Sequence, residues 1–175
     1  MPLPTLVVNA MLFQVAWFGA VLGAARGLPW LGVVAVAAVV AWHLARARQP
    51  AREIGLVALA LAMGAVFETL LVQAGFLRFD GGALLAGTAP VWMVALWANF
   101  ATTLNVSLRA LRGRLLAATL LGAVGAPLAY LGGQKLGAVQ MADAGSALAA
   151  IAAGWAIMTP LLFLAAQRLD GYARR

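Results

Sequence analysis

The sequence predicts an all-α, polytopic integral membrane bundle of six transmembrane helices with both termini cytoplasmic. Three observations predict it. The 175-residue chain is 65% hydrophobic, with a mean hydropathy of +0.96. Only 10% of its residues are charged, whereas a soluble domain carries about 25%. Its apolar residues fall into six runs, each near the ~20 residues that cross a bilayer. Twelve Lys and Arg with five Asp and Glu cannot coat a water-facing surface, so most side chains must face lipid.

The first run spans about 6–25 and ends at Arg26-Gly27-Leu28-Pro29. Its leading residues, Met1 to Thr5, hold no basic side chain, so it reads as a retained helix, not a cleaved leader. Pro29 suits the first turn of a second helix, about 29–45, where no backbone donor is needed. That run is the shortest, with ~17 apolar residues. Arg46, Arg48, Pro50 and Arg52 break the chain before a third run, about 54–76. The stretch Arg78-Phe79-Asp80-Gly81-Gly82 reads as a turn. Thr88 is a candidate cap for a fourth helix, about 89–108, with Pro90 in its first turn. A fifth run, about 115–133, contains Pro127; a sixth, about 145–166, contains Pro160 and follows Asp143, an acid suited to a helix N-terminus. No soluble domain or long linker remains, so 1–175 reads as a single transmembrane domain.

Orientation follows from the basic residues. Arg46, Arg48, Arg52, Arg109, Arg112, Arg114, Arg168, Arg174 and Arg175 lie on one side of this arrangement, and only Arg26, Arg78 and Lys135 on the other. The nine belong in the cytoplasm, which requires an even number of spans. The net charge of +7 belongs to these short gaps, so the expected counter-charge is anionic lipid, not nucleic acid. Arg46, Arg48, Arg52, Arg109, Arg112 and Arg114 are therefore candidate lipid-headgroup contacts.

Counting residues removes several chemistries. There is no cysteine and one histidine, so thiolate sites and histidine-rich metal centres are excluded, and neither metal nor cofactor is expected. His43, beside Trp42, reads as an interfacial side chain. Five scattered acids do not make a metal-dependent phosphotransferase, and no nucleophile–base pair is visible, so no catalytic residue is assigned and the balance is against an enzyme.

Intramembrane polar residues are costly and mark candidate sites. Glu68 is the acid that the third run carries inside the bilayer, ~12 Å from its outer end at 1.5 Å per residue. Gly64 and Gly75 share its face, so it should point into the bundle. Asn99 and Gln14 fall at similar depth, making a Gln14–Glu68–Asn99 cluster geometrically feasible. Thr102, Thr103 and Asn105 extend the polar set, and Thr102, Asn105 and Arg109 follow one helical face toward the cytoplasm. Two readings stand side by side: a ligand or proton site, or a hydrogen-bonded glutamate that fixes helix packing. Gly19, Gly23 and Gly27, four residues apart, suggest close helix contact within the chain or in a homo-oligomer.

Three segments carry a resemblance: Gln14-Val15-Ala16-Trp17-Phe18-Gly19 with Gly27-Leu28-Pro29-Trp30; Gly64 to Gly75 around its acid; and Trp92-Met93-Val94-Ala95-Leu96-Trp97 with Phe100-Ala101-Thr102-Thr103-Leu104-Asn105. Together they resemble a family of small bacterial inner-membrane proteins classed as a domain of unknown function. The resemblance implies a multi-pass protein of the bacterial inner membrane and no assigned activity. Genes of such proteins lie near enzymes that modify the fatty-acyl chains of lipids, which implies a place in membrane-lipid metabolism or envelope stress. The leading expectation is a non-catalytic helper whose partners are membrane lipids, a membrane protein or a second copy. The alternative is a small transporter or flippase with a midplane polar site around Glu68 and Asn99.

Overall fold

The computed structural model describes residues 2–173; Arg174 and Arg175, counted in the basic bias, lie outside the described residues. The described chain forms six α-helices: α1 (Leu3–Ala25), α2 (Pro29–Arg46), α3 (Pro50–Gln73), α4 (Val91–Leu104), α5 (Leu115–Lys135) and α6 (Ala144–Arg168). Five of them, all but α4, are long and apolar enough to cross a membrane.

The outer surface is apolar with helical spacing. Val7, Met11, Val15 and Phe18 are exposed along α1, Leu116, Leu120, Val124 and Leu128 along α5, and Ile157, Leu161 and Leu164 along α6. Stripes of this size on a water-facing protein would drive aggregation, and in lipid they are the expected solvent contact.

The central helix is α4. It packs against α1, α2, α3 and α6 and contributes no large exposed apolar side chain. Surrounded in this way, it tolerates Asn99, Thr102 and Thr103, all buried. Its 14 residues measure about 21 Å, short of the ~30 Å hydrocarbon core. The sequence predicts a helix to about 108. The structure ends it at Leu104, where Asn105 turns out of the helix and the chain continues through turns to a short 3-10 turn at Arg109–Leu111. Thr88 does not cap it: Pro90 holds the N-cap position, and the Thr88 hydroxyl donates to Leu85 O at 2.8 Å. At the other end of the loop order, α3 starts at Pro50, four residues before the expected 54.

Two hairpins flank this centre. In the α1–α2 pair, a Cβ on Gly32 would lie 2.6 Å from Ala20 Cα, so a glycine is needed for the helices to cross this closely. Gly19 and Gly23 also face α2, against Ala35 and the Leu28–Leu31 turn, whereas Gly27 has φ +73 and serves the turn itself. In the α5–α6 pair, a Cβ on Gly122 would meet Trp155 O at 2.2 Å. Helices α5 and α6 run unbroken past Pro127 and Pro160, so these prolines do not provide the discontinuous helices some transporters use. Asp143 caps α6, accepting from Ser146 N at 2.8 Å.

The helices alternate in direction. One end of the bundle carries the α2–α3 and α4–α5 connections and the tail, hence most arginines. At the opposite end, a two-stranded antiparallel ladder, β1 (Leu77–Arg78) with β2 (Gln140–Met141), ties the α3–α4 loop to the α5–α6 loop.

Candidate functional site

Glu68 lies on α3, five residues before its end, hence ~7.5 Å inside the helix terminus. It is fully buried. Its placement depends on Gly64, one turn earlier. A Cβ there would sit 2.3 Å from Trp97 Cγ, so only glycine lets the indole of α4 lie against α3. From this seat Trp97 Nε1 donates to Glu68 Oε1 at 3.0 Å. The Tyr130 hydroxyl of α5 donates to the same oxygen. Behind it, Trp97 stacks on Trp155 of α6, ring centroids 4.3 Å apart. The carboxyl is thus held by two helices, α4 and α5, on one oxygen, while Oε2 is buried without a partner among the described residues.

Glu68 forms part of the wall of a cavity of about 650 Å³, within the 300–1,000 Å³ range of small-molecule sites. The cavity lies between α1 and α5, with α4 and α6 behind. Helix α5 packs on α6 and the turn after α4, and α1 on α2 and α4. Across the gap, the Trp17 ring stands 3.4 Å from where a Gly132 Cβ would be and narrows it toward the end bearing the β-ladder. The rim includes Gln14 on α1 and Leu128 on α5, both exposed and both mid-helix, so the cavity opens sideways. Its lining is apolar and aromatic, and continues along α4 as far as Ser107 and Leu108. No Lys, Arg or His lines it among the described residues.

The expected Gln14–Glu68–Asn99 cluster does not form. Asn99 follows Trp97 by two residues, about 200° round the helix, and so points away from α3; its Nδ2 donates to Phe13 O of α1 at 2.9 Å. Gln14 shares the cavity with Glu68, but no hydrogen bond joins them. Thr102 and Thr103 spend their hydroxyls within α4, on Asn99 O and Phe100 O at 2.7 and 2.6 Å. Thr103 still lines the cavity; Thr102 does not.

Asn105, Arg109 and Arg112 belong to a second polar cluster, at the arginine-rich end, centred on Glu53. Glu53 is fully buried near the start of α3, so Glu68 is not alone among buried acids. His43 Nε2 lies 2.8 Å from Glu53 Oε2. Oε1 accepts from Asn105 Nδ2 at 2.7 Å and from Gly171 N at 2.6 Å. The Tyr172 hydroxyl donates to His43 O at 2.6 Å. Arg109 and Arg112 both reach Asp170 Oδ2, at 2.9 and 2.8 Å, and Arg112 also contacts Asn105 Oδ1. Burial pushes the Asp170 carboxyl up, but hydrogen bonds from Arg112 and Tyr172 N and the two guanidinium charges bring it below its ordinary 3.8. Burial, then the nearby Glu53 carboxylate, raises the Tyr172 phenol, which keeps it a proton donor. This cluster fastens the tail to α2, α3 and the end of α4.

The six arginines expected at lipid headgroups therefore divide. Arg109 and Arg112 are committed to Asp170, and the Arg46 guanidinium lies 4.7 Å above the Trp42 ring. Arg48, Arg52 and Arg114 are exposed. Asn9 is a further buried polar residue that no sequence pattern marks. It is fully buried on α1, donates to Thr102 O and accepts from Ser107 N, both at 3.2 Å. Its early position, only six residues into α1, hid it among the interfacial residues. Tyr130 was missed because a phenol in an apolar run gives no periodic signal; only its depth, matching that of Glu68, could have suggested the pair.

A family model described as a protein of unknown function (DUF2878) matches residues 6–161. No curated protein and no solved structure matches the chain.

Proposed function

Since the chain belongs to this family of proteins of unknown function, its activity has to be read from its own residues, and we propose that it is a small lipid-handling membrane protein, a carrier or flippase, that admits an apolar chain sideways into the α1–α5 cavity. In this reading it has six crossings. The short α4 makes the sixth from inside the bundle, where its neighbours and not lipid set the length it needs. The even count puts both termini on the arginine-rich side, the positive-inside bias makes that side the cytoplasm, and the membrane we propose is the bacterial inner membrane that the resemblance implies.

The observation that carries the reading is the cavity with Glu68 in its wall. A purely structural glutamate would sit in a dry, filled midplane. Here it borders about 650 Å³ of apolar space reached from the side where lipid stands. The alternative, a helper in lipid metabolism with no ligand of its own, leaves that space without a purpose.

Gly125 provides the test. It lines the cavity, and a Cβ there meets nothing nearer than Leu121 Cδ1 at 3.8 Å, so Gly125→Trp should fill the space without moving a helix. Native mass spectrometry of the delipidated protein, re-exposed to a bacterial lipid extract, should show one retained lipid for wild type and at least tenfold less for Gly125→Trp at an unchanged melting temperature. Equal retention by both, or a wild-type dimer whose interface protects Gln14 and Leu128, would overturn it.

A further inference from the structure

We infer that the lipid received by this cavity is a neutral lipid with a free hydroxyl, held through that hydroxyl by Glu68, and not a phospholipid held by its phosphate. The inference rests on the lipid-handling reading above and adds the substrate class to it.

The first argument is charge. A phosphate is recognised by cations or by converging N–H groups. The cavity offers no Lys, Arg or His among the described residues, and its one ionisable group besides the Tyr130 phenol is an acid. Drawing an anionic headgroup past that acid into an apolar lining would be opposed both by repulsion and by desolvation. The arginines that could serve a phosphate stand at the bundle end, two of them already paired with Asp170.

The second argument is an unmet hydrogen bond. Glu68 Oε1 receives both Trp97 and Tyr130, so it is occupied. Oε2 is buried with no partner among the described residues, a costly arrangement unless something else completes it. A hydroxyl both donates and accepts. It therefore pairs with Oε2 whether the acid is ionised, when Oε2 accepts, or protonated, when Oε2 donates. A ketone or ester carbonyl serves only the second state, and an ammonium only the first. Thr159 Oγ1 and Trp92 Nε1 also line the cavity and also lack partners among the described residues. A long-chain alcohol or a diacylglycerol has the required shape: one small uncharged hydroxyl-bearing end on an apolar body that fills the channel toward Ser107.

The test compares ligands on the unaltered protein, so it does not depend on a variant that folds. Purified protein in nanodiscs is photolabelled with a diazirine-bearing long-chain alcohol and competed with oleyl alcohol, oleyl acetate, oleylamine and dioleoylphosphatidylglycerol. Oleyl alcohol should compete at least tenfold better than its acetate, which caps the same hydroxyl, and phosphatidylglycerol should not compete. In Glu68→Leu the alcohol and the acetate should become equal, whereas Glu68→Gln should keep a preference for the alcohol. Labelling that Gly125→Trp blocks but that acetate, amine or phosphatidylglycerol displaces as well as the alcohol does would refute the hydroxyl assignment and leave lipid entry standing. Labelling insensitive to Gly125→Trp would refute both.

Discussion

Glu53→Leu is expected to destabilise the protein by about 3–5 kcal/mol, since each buried donor left without its acceptor costs about 1–3 kcal/mol. Three donors converge on this carboxylate: the His43 ring at 2.8 Å, Asn105 Nδ2 at 2.7 Å and Gly171 N at 2.6 Å. Leucine would leave them facing an apolar side chain. Asn105 keeps Leu169 O at 3.1 Å, but the Gly171 amide and His43 Nε2 have no substitute. The loss should appear as a lower urea or thermal midpoint in detergent, and as early protease cutting near Leu169, because the tail hangs on this residue. Glu53→Gln retains an acceptor for Asn105 and Gly171, and its amide can donate to His43 Nε2 once the ring takes the other tautomer, so its cost should be less than half as large. A Glu53→Leu variant with a wild-type midpoint would mean that the tail is held without Glu53, by Asp170 on Arg109 and Arg112, Tyr172 on His43 O and Gly171 O on the Arg48 and Gln49 amides.

The second large effect is expected at Gly64. Gly64→Leu places its Cβ 2.3 Å from Trp97 Cγ and 2.4 Å from Cδ1, so the indole must leave. Overpacking of this kind costs about 1–3 kcal/mol. The stacked Trp97–Trp155 pair adds about 0.5–1.5 kcal/mol. The Trp97 hydrogen bond to Glu68 is lost with them. Gly64→Ala meets the same clash through the same atom and should show most of the effect, which separates it from ordinary glycine sites where alanine is harmless. Both variants should lose the retained lipid as well as stability, whereas Gly125→Trp should lose the lipid alone. Parallel melting curves and lipid retention on the three proteins would show this, and a stable Gly64→Ala would mean that Trp97 is not seated against α3.

Much of the helical framework was legible because a lipid-facing helix writes its length into the sequence as an uninterrupted apolar run. The breaks at Arg26–Leu28, Arg78–Gly82 and Leu136–Asp143 were legible for the same reason. The end of α4 was not, because a helix surrounded by protein needs no apolar run to mark where it stops; Asn105 looked like one more polar residue on a helical face and is instead the residue that leaves it. Glu68 was legible as a buried acid, since nothing else explains a carboxyl at that depth. Its partners were not, since Trp97 and Tyr130 are as ordinary in an apolar helix as any core aromatic. Glu53 falls one residue before the apolar run that begins at Ile54, where an acid among arginines looks like a solvated surface group. His43 looked interfacial on the same grounds, and becomes a buried partner only once the tail folds back over it.

That fold-back sets a schedule for biosynthesis. Gly171 follows Glu53 by 118 residues, so at about 5–20 residues per second the acid waits roughly 6–24 s for its last donor. A product terminated before Leu169 would lack the Gly171 amide that completes the shell of donors around Glu53.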